Sequence, residues 1–431
     1  MRRSLICGAA GLLAAFLLWP GWAVAFEGEG TVRIGGMWPL SGPASFFGKA
    51  AFGLASLAVD EINEAGGLVV GGKRVKLALY SQDEACVAEQ GLAVVKRLAT
   101  VDKVLFSLGP GCSSVAEPVF GTLQKKLDDR SDTGLQLLFF TDIATKFGLA
   151  KLSPWAFRNT PDEPGMYDFV VKYLKEKHPD FKTVMVSYES DFAHSAATWN
   201  IALKPALERH KHHQVVEVVD WRWLDNEFGA QVTRLRKANA DIYFSLTHTP
   251  STCPSLRELK RQRVRPKIVV GITSLAGTEV LQQCPDVAEG VIAPSNFAPI
   301  TPRAKQVADK AWERYKADSN IHSVPAYENV HLMKGLIEKA GIKNTEESLL
   351  SDRRKVRDLL ATVGTFQGVV GKITMRPEDD PVKPRDVDKD LLLVQIRSAK
   401  WDIFWVPDHA GRSDSRNTNS PSTSGMLDST L

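Results

Sequence analysis

Residues 103–114 read Lys-Val-Leu-Phe-Ser-Leu-Gly-Pro-Gly-Cys-Ser-Ser, and the order of these residue types decides the fold. Val104 to Leu108 is an apolar run of strand length. Gly109-Pro110-Gly111 then has to turn, since glycine accepts backbone angles that other residues avoid and proline cannot donate to a ladder. In Ser113-Ser114-Val115-Ala116-Glu117, a Ser is followed three residues later by a Glu, a capping-box pattern that predicts a helix starting at Ser114. Pro118 is tolerated because first-turn amides have no intrahelical acceptor to lose. Strand, glycine turn and helix N-terminus gather free N–H groups and hydroxyls above a sheet edge. That arrangement suits a small anion such as a carboxylate.

The chain opens with Arg2-Arg3, an apolar stretch from Leu5 to Trp19, a Pro20-Gly21 break and Ala23-Val24-Ala25. This is the pattern of a secretory leader, with cleavage expected after Ala25 and an exported mature protein. The apolar run is too short for a membrane span. What remains is long enough for two domains with ordinary cores. The net charge of +4 includes Arg2 and Arg3 of the leader, so the mature chain is near neutral. Nothing there calls for nucleic acid or an anionic surface as partner. Cys86, Cys112, Cys253 and Cys284 follow the leader, and an even number in an exported chain favours two disulfides out of three possible pairings. Zinc is the weaker reading, because no CxxC pair and no histidine stand at ligand spacing beside them.

Strand-like and helix-like stretches alternate on both sides of the opening segment. A strand from Thr31 to Met37 leads into a loop at Trp38–Pro43 and a helix over Phe47–Asn63, stopped by Gly66-Gly67. Strand Val75–Tyr80, helix Val87–Ala99, strand Val104–Leu108, a helix to Lys126 and strand Leu135–Phe140 follow. Around Phe157–Pro161 the pattern restarts: helix Pro164–Lys175, strand Thr183–Tyr188, a helix to Glu208, and strands at Gln214–Val219, Asp241–Leu246, Lys267–Gly271 and Glu289–Ala293. Helices at Pro302–Ala317, Pro325–Ala340 and Ser351–Val363 return to the first unit. A charged, proline-rich stretch at Arg376–Asp390 marks a last crossing, and Leu391–Arg397 with Trp401–Val406 reads as a closing hairpin. The expectation is an α/β protein of two Rossmann-like parallel-sheet lobes joined by three crossovers. Residues 1–25 are the leader; residues 26–158 with 294–375 form one lobe and 159–293 with 376–406 the other. Residues 407–431, nearly devoid of apolar side chains, are expected to be disordered.

Ser41-Gly42-Pro43 with Phe47-Gly48, Asp60-Glu61-Ile62-Asn63 with Gly66-Gly67, Asp83-Glu84-Ala85-Cys86, Gly111-Cys112-Ser113-Ser114 and Thr141–Thr145 stand at the spacing of a known family. Through them the chain resembles the periplasmic leucine/isoleucine/valine-binding proteins, the type I solute receptors of ABC importers. The likeness is specific over Thr31–Thr160 and rests on element order alone beyond that. It implies two lobes closing on a solute, a Cys86–Cys112 bridge, and Cys253 and Cys284 left to pair with each other. It also implies that Ser113, its neighbour Ser114, Thr145 and the main chain at Ile143 hold a carboxylate. The acid that balances a bound amino acid's ammonium falls on Thr273, and the aromatic positions of the second lobe fall on Phe192 and His248. A buried ammonium without counter-charge costs on the order of several kcal/mol. A carboxylate on an apolar or aromatic body therefore fits better, with Phe47 and Phe192 as walls, although Glu189, Asp191 or Asp142 would restore the charge.

Each of these residues has a plainer reading. Ser113 and Ser114 serve equally as helix caps, Phe47 and Phe192 as core, and His248 as a structural histidine. His210, His212 and His213 stand at a helix end, where the dipole accounts for them without a metal. Trp221 and Trp223 read as packing, Lys96-Arg97 and Arg353-Arg354-Lys355 as solvated helix faces. Gly-x-Ser-x-Gly, His-Glu-x-x-His and phosphate-loop patterns do not occur, so an enzyme is not expected. Neither metal nor cofactor is called for. The expected partners are a small-molecule solute and the permease and ATPase of an importer, with the protein a periplasmic monomer. A ligand-sensing accessory of a signalling receptor is the alternative of identical fold.

Overall fold

The computed structural model describes residues 30–160 and 162–406; the leader and the tail 407–431 lie outside the described residues. Strands β1 (Thr31–Trp38), β2 (Leu68–Val70), β3 (Lys73–Asp83), β4 (Phe106–Leu108), β5 (Leu138–Thr141) and β6 (Ala156–Arg158) form one sheet in the order β2-β3-β1-β4-β5-β6. Every pairing in it is parallel except β2 with β3. Strand β1 is buried along seven of its eight residues, as a central parallel strand covered on both faces must be. The helix Ser45–Glu64 that follows packs Leu54, Ala58 and Ile62 inward. The chain leaves it through Gly67 (φ +79°), where a Cβ would stand 2.1 Å from the Val75 carbonyl oxygen. Only glycine fits there.

Strands β7 (Thr183–Glu189), β8 (Gln214–Trp221), β9 (Ile242–Leu246), β10 (Ile268–Gly271) and β11 (Ile292–Ser295) build the second lobe. Its two faces can be read from the alternation of side chains. Val184, Val186, Ile242 and Phe244 pack into one core, Met185 and Tyr243 into the other. Helices Pro302–Tyr315, Val324–Lys339 and Leu349–Ala361 then return to the first core. Strands β12 (Thr365–Gln367), β13 (Lys372–Met375) and β14 (Val387–Lys389) form a small antiparallel sheet of their own. Strands β15 (Leu392–Arg397) and β16 (Lys400–Trp405) finally join the second sheet, whose order is β16-β15-β11-β10-β9-β7-β8. Disulfides Cys86–Cys112 and Cys253–Cys284 are both formed, with Cα separations of 5.4 and 5.5 Å.

Several expectations are corrected. The third crossing is not at 376: Val387 belongs to the first core and β14 pairs with β13, so the chain changes lobe between Lys389 and Leu392. The capping box does not form. Cys112 is the N-cap residue without a side-chain bond, Ser113 is already helical, and the helix ends at Gly121 instead of Lys126. The single helix expected up to Glu208 is a helix Ala193–Ala197, a π-helical segment Thr198–Leu203 and a helix Lys204–His210. Arg353 is no solvated side chain. It is buried and donates to the carbonyls of Val104, Gln136 and Ala99, tying the helix Leu349–Ala361 to the entrance of β4.

Candidate functional site

The loops after the C-terminal ends of β4, β5, β9 and β10 face one another across a cleft, which is where open α/β sheets bind ligands. From the first lobe come Phe47, Gly111 to Ser113, Ile143 to Thr145, and His322 just ahead of the helix Val324–Lys339. Phe192, His194, His248 and Ser274 come from the second lobe. The space open to the centre of a water-sized sphere is about 30 Å³, so these walls nearly touch. Of the residues expected at the site, Ser113, Ile143, Thr145, Phe47, Phe192 and His248 are brought together. Ser114 and Thr273 do not line the cleft, and Thr273 instead donates to Glu163 at 2.5 Å.

On the first-lobe side the turn's amides are less bare than its sequence implies. The Gly109 amide donates to Asp142 Oδ1 at 3.0 Å and the Cys112 amide to Glu84 Oε1 at 2.7 Å. Burial holds the Glu84 carboxyl well above the ordinary range, and pushes Asp142 up to about 7 against the bonds from Trp38 and Gly109. Burial therefore favours the protonated form of Glu84 under the rim, where a negative charge would repel an incoming anion. Ser113 Oγ accepts the Lys146 amide at 3.1 Å, which leaves its O–H to donate. Thr145 is fixed from behind by Arg158, whose Nη2 donates to the Thr145 carbonyl at 3.0 Å.

The second-lobe side is built on a buried hydrogen-bonded chain. His248 Nδ1 meets Glu189 Oε2 at 2.5 Å, His248 Nε2 meets His194 Nδ1 at 3.0 Å, and His194 Nε2 meets Glu163 Oε1 at 2.7 Å. Both carboxylates can only accept, so the two outer imidazole nitrogens carry protons, and the inner contact needs one more. Burial works to raise the Glu163 carboxyl, but the charge of His194 and the bonds from His194, Thr198 and Thr273 outweigh it and hold it below the ordinary value. The remaining acceptor capacity of Glu189 goes to the His248 amide and the Ser251 hydroxyl. Neither carboxylate lines the cleft.

His194 and His322 were not anticipated. Each reads alone as an ordinary histidine, and they are brought together from positions 128 residues apart only by the closing of the two lobes. His322 is 3 % exposed; no side chain bonds either ring nitrogen, and the Ile143 main chain is the polar group that favours its charged form. Burial, then the charge of His194, pulls it down to about 3, so its imidazole is neutral. Ser274 Oγ, on the second-lobe side of the same cleft, is buried without a partner. Leaving such groups unpaired costs about 1–3 kcal/mol each. Aromatic rings close the sides: Phe47 lies 5.6 Å from the His322 ring and Phe192 4.4 Å from the His248 ring, centroid to centroid.

Two α/β lobes, strand ends facing across a cleft and a chain that passes between them more than once, define a bilobal ligand-binding protein. The family model described as periplasmic binding protein matches residues 31–400, and the chain belongs to that family. It is 26% identical over 324 residues to the leucine-, isoleucine-, valine-, threonine- and alanine-binding protein of Pseudomonas aeruginosa, covering 74% of this chain and 80% of that one. Among solved structures, a leucine-binding protein from Thermotoga maritima superposes with a TM-score of 0.73 at 17% identity, covering 87% of this chain and 98% of the other. An ABC-transporter solute-binding protein from Rhodopseudomonas palustris, crystallised with 3,4-dihydroxybenzoic acid, superposes at 0.70 and 16%, covering 88% and 99%. At these identities the structural likeness concerns the fold.

Proposed function

We propose that this protein is the extracytoplasmic receptor of an ABC importer and that its solute is a small carboxylic acid with an aromatic body. The observation that carries the reading is the pairing, across one cleft, of the Ser113 and Thr145 hydroxyl rim with a box of Phe47, Phe192 and imidazole rings. The rim donates to a carboxylate and the rings sandwich a flat apolar body. An amino acid fits less well, because the position of the ammonium's counter-charge is Thr273 and the nearest carboxylates are already saturated. The R. palustris protein's dihydroxybenzoate supports the same class by analogy.

Residues 30–158 with 296–389 act as one lobe and 163–295 with 391–406 as the other, and the protein works as a monomer that presents its closed form to the permease. Two formed disulfides support an oxidising compartment, and no helix among the described residues is long and apolar enough to cross a membrane. A calorimetric and thermal-shift screen of the mature chain against benzoate, hydroxybenzoates, branched aliphatic acids and leucine tests this. Aromatic acids are expected to bind and raise the melting temperature. Each charge-assisted bond to a carboxylate is worth about 1.5–3 kcal/mol, so Ser113→Ala with Thr145→Ala should weaken binding a hundredfold or more. Tight leucine binding with no response to aromatic acids overturns the reading.

A further inference from the structure

We propose that Trp223 is the latch of the closed cleft: it holds the lobes together on the side away from the second and third crossings and backs Phe192, so it sets how long a solute stays bound. The inference rests on the reading of the protein as a receptor that closes on its solute, and it is independent of which solute that is. Trp221 and Trp223 alternate as on a strand, which puts both on one face. However, β8 ends at Trp221, and the two rings go to different places. Trp221 is buried in a core of its own lobe, with its ring 4.7 Å from that of Phe228. Trp223 packs instead against the core of the other lobe, whose buried members all fall within 32–157 and 297–387. Among the described residues, no other apolar side chain of the second lobe joins that cluster.

Sheet topology puts this contact where it has most leverage. Strands β7, β8, β9 and β10 run parallel, so β8 ends on the same sheet edge as the strands that lead to Phe192, His248 and Ser274. The second crossing leaves from β11 and the third enters β15, whereas β8 is the outermost strand on the opposite side. Four strand spacings separate β8 from β11, about 19 Å. A contact that far from the crossings resists opening with a long lever. Trp223 is also held in register with the cleft wall. Its amide donates to Asp191 Oδ1 at 2.7 Å, and its ring stands 4.6 Å from that of Phe192, which lines the cleft. In the closed form the indole N–H is buried without a partner. Opening returns that N–H to water but uncovers apolar ring surface, so the two costs oppose each other. The latch alone is therefore weak, and bound solute tips the balance towards the closed form.

Stopped-flow binding of benzoate, 4-hydroxybenzoate and leucine, with X-ray scattering of the ligand-free protein in solution, tests this on three variants of the mature chain. Trp223→Ala should raise the dissociation rate about tenfold or more, by the same factor for each probe that binds, and change the association rate less than about threefold. It should also enlarge the radius of gyration without ligand. Trp223→Phe, which keeps an apolar ring, should recover most of both. Trp221→Phe should lower the melting temperature and leave both unchanged; melting curves of each variant confirm that it folds. An unchanged dissociation rate in Trp223→Ala overturns the inference and leaves the proposed function standing. A loss that differs between probes also overturns it, since Trp223 would then be a contact of the solute itself. If none of the three probes binds, the proposed function fails and scattering alone decides: a radius equal to the wild type's overturns the latch as well, and a larger one upholds it.

Discussion

His322 is a residue whose surroundings, more than its identity, set its chemistry. It faces Phe47 from its own lobe and His194, His248 and the carboxylate of Glu163 from the other. Burial and the His194 charge outweigh Glu163 and pull it from the ordinary 6.5 to about 3. The unfolded chain takes up a proton on this group as pH falls through about 6.5, and the folded chain does not. Stability contributed by neutral His322 is therefore lost between about pH 6.5 and 3, at up to about 1.4 kcal/mol per pH unit. Asp142, pushed up to about 7, acts with opposite sign: its folded form keeps a proton that the unfolded form releases from about pH 4, so stability is lost as pH rises towards 7. The two slopes offset each other in the wild type over the range they share. His322→Phe should expose the second one, so that the variant gains on the wild type as pH is lowered from 7 to 5. Denaturation midpoints of both proteins at pH 5, 6 and 7 measure this, and a pH-independent difference would count against a neutral, buried His322.

At the scale of elements, the turn between β4 and the helix Ser113–Gly121 sets the first-lobe wall. Gly109 has φ +80°, and a Cβ there would stand 2.1 Å from the Met37 carbonyl oxygen. Its amide is also the donor to Asp142. Gly109→Ala should cost at least the 1–2 kcal/mol of a left-handed non-glycine residue, and it should weaken solute binding by displacing Ser113. A melting temperature and an affinity both within error of the wild type would show that the turn absorbs the methyl. This turn was legible because a glycine break between an apolar run and a helix leaves the chain few choices. So were Ser113 and Thr145, each placed just past the end of a strand. The sheet β12–β14 was not: its strands are three or four residues long, and its buried members Ile373, Met375 and Val387 are too scattered to mark a period. The charged, proline-rich stretch between β13 and β14 reads as a linker although it is an excursion within one lobe. The histidine chain was illegible for another reason. Glu163, Glu189, His194 and His248 converge from two helix starts, a strand end and a loop, and no local pattern carries that convergence.

At the scale of the whole molecule, the segments between the lobes share buried polar ties. Arg158, at the end of β6, bonds Asp386 at 2.8 Å beside β14 and reaches Thr160 and the Thr145 carbonyl with its other nitrogen. Glu328, in the helix after the second crossing, accepts from Lys389 at the third and from Asn159 at the first. The first and third passages therefore start from one shared, rigid base, and the Arg158 side chain connects that base directly to the carboxylate rim. With walls this close, the lobes must part to admit a solute. Removing Arg158 alone would leave the Asp386 carboxyl, already pushed up to about 6 by burial, without its counter-charge. Arg158→Met should therefore cost about 3–5 kcal/mol. Arg158→Met with Asp386→Leu removes the stranded charge as well and should recover most of that loss, since a buried pair exchanged for apolar side chains is often near neutral. Solute affinity should behave differently. Both variants lack the donor to the Thr145 carbonyl, so both should bind more weakly than the wild type, and the double variant's regained stability should bring no regained affinity. Denaturation and titration on the same preparations separate the two. If affinity returns together with stability, Arg158 serves the fold alone, and the connection from hinge to rim is not used.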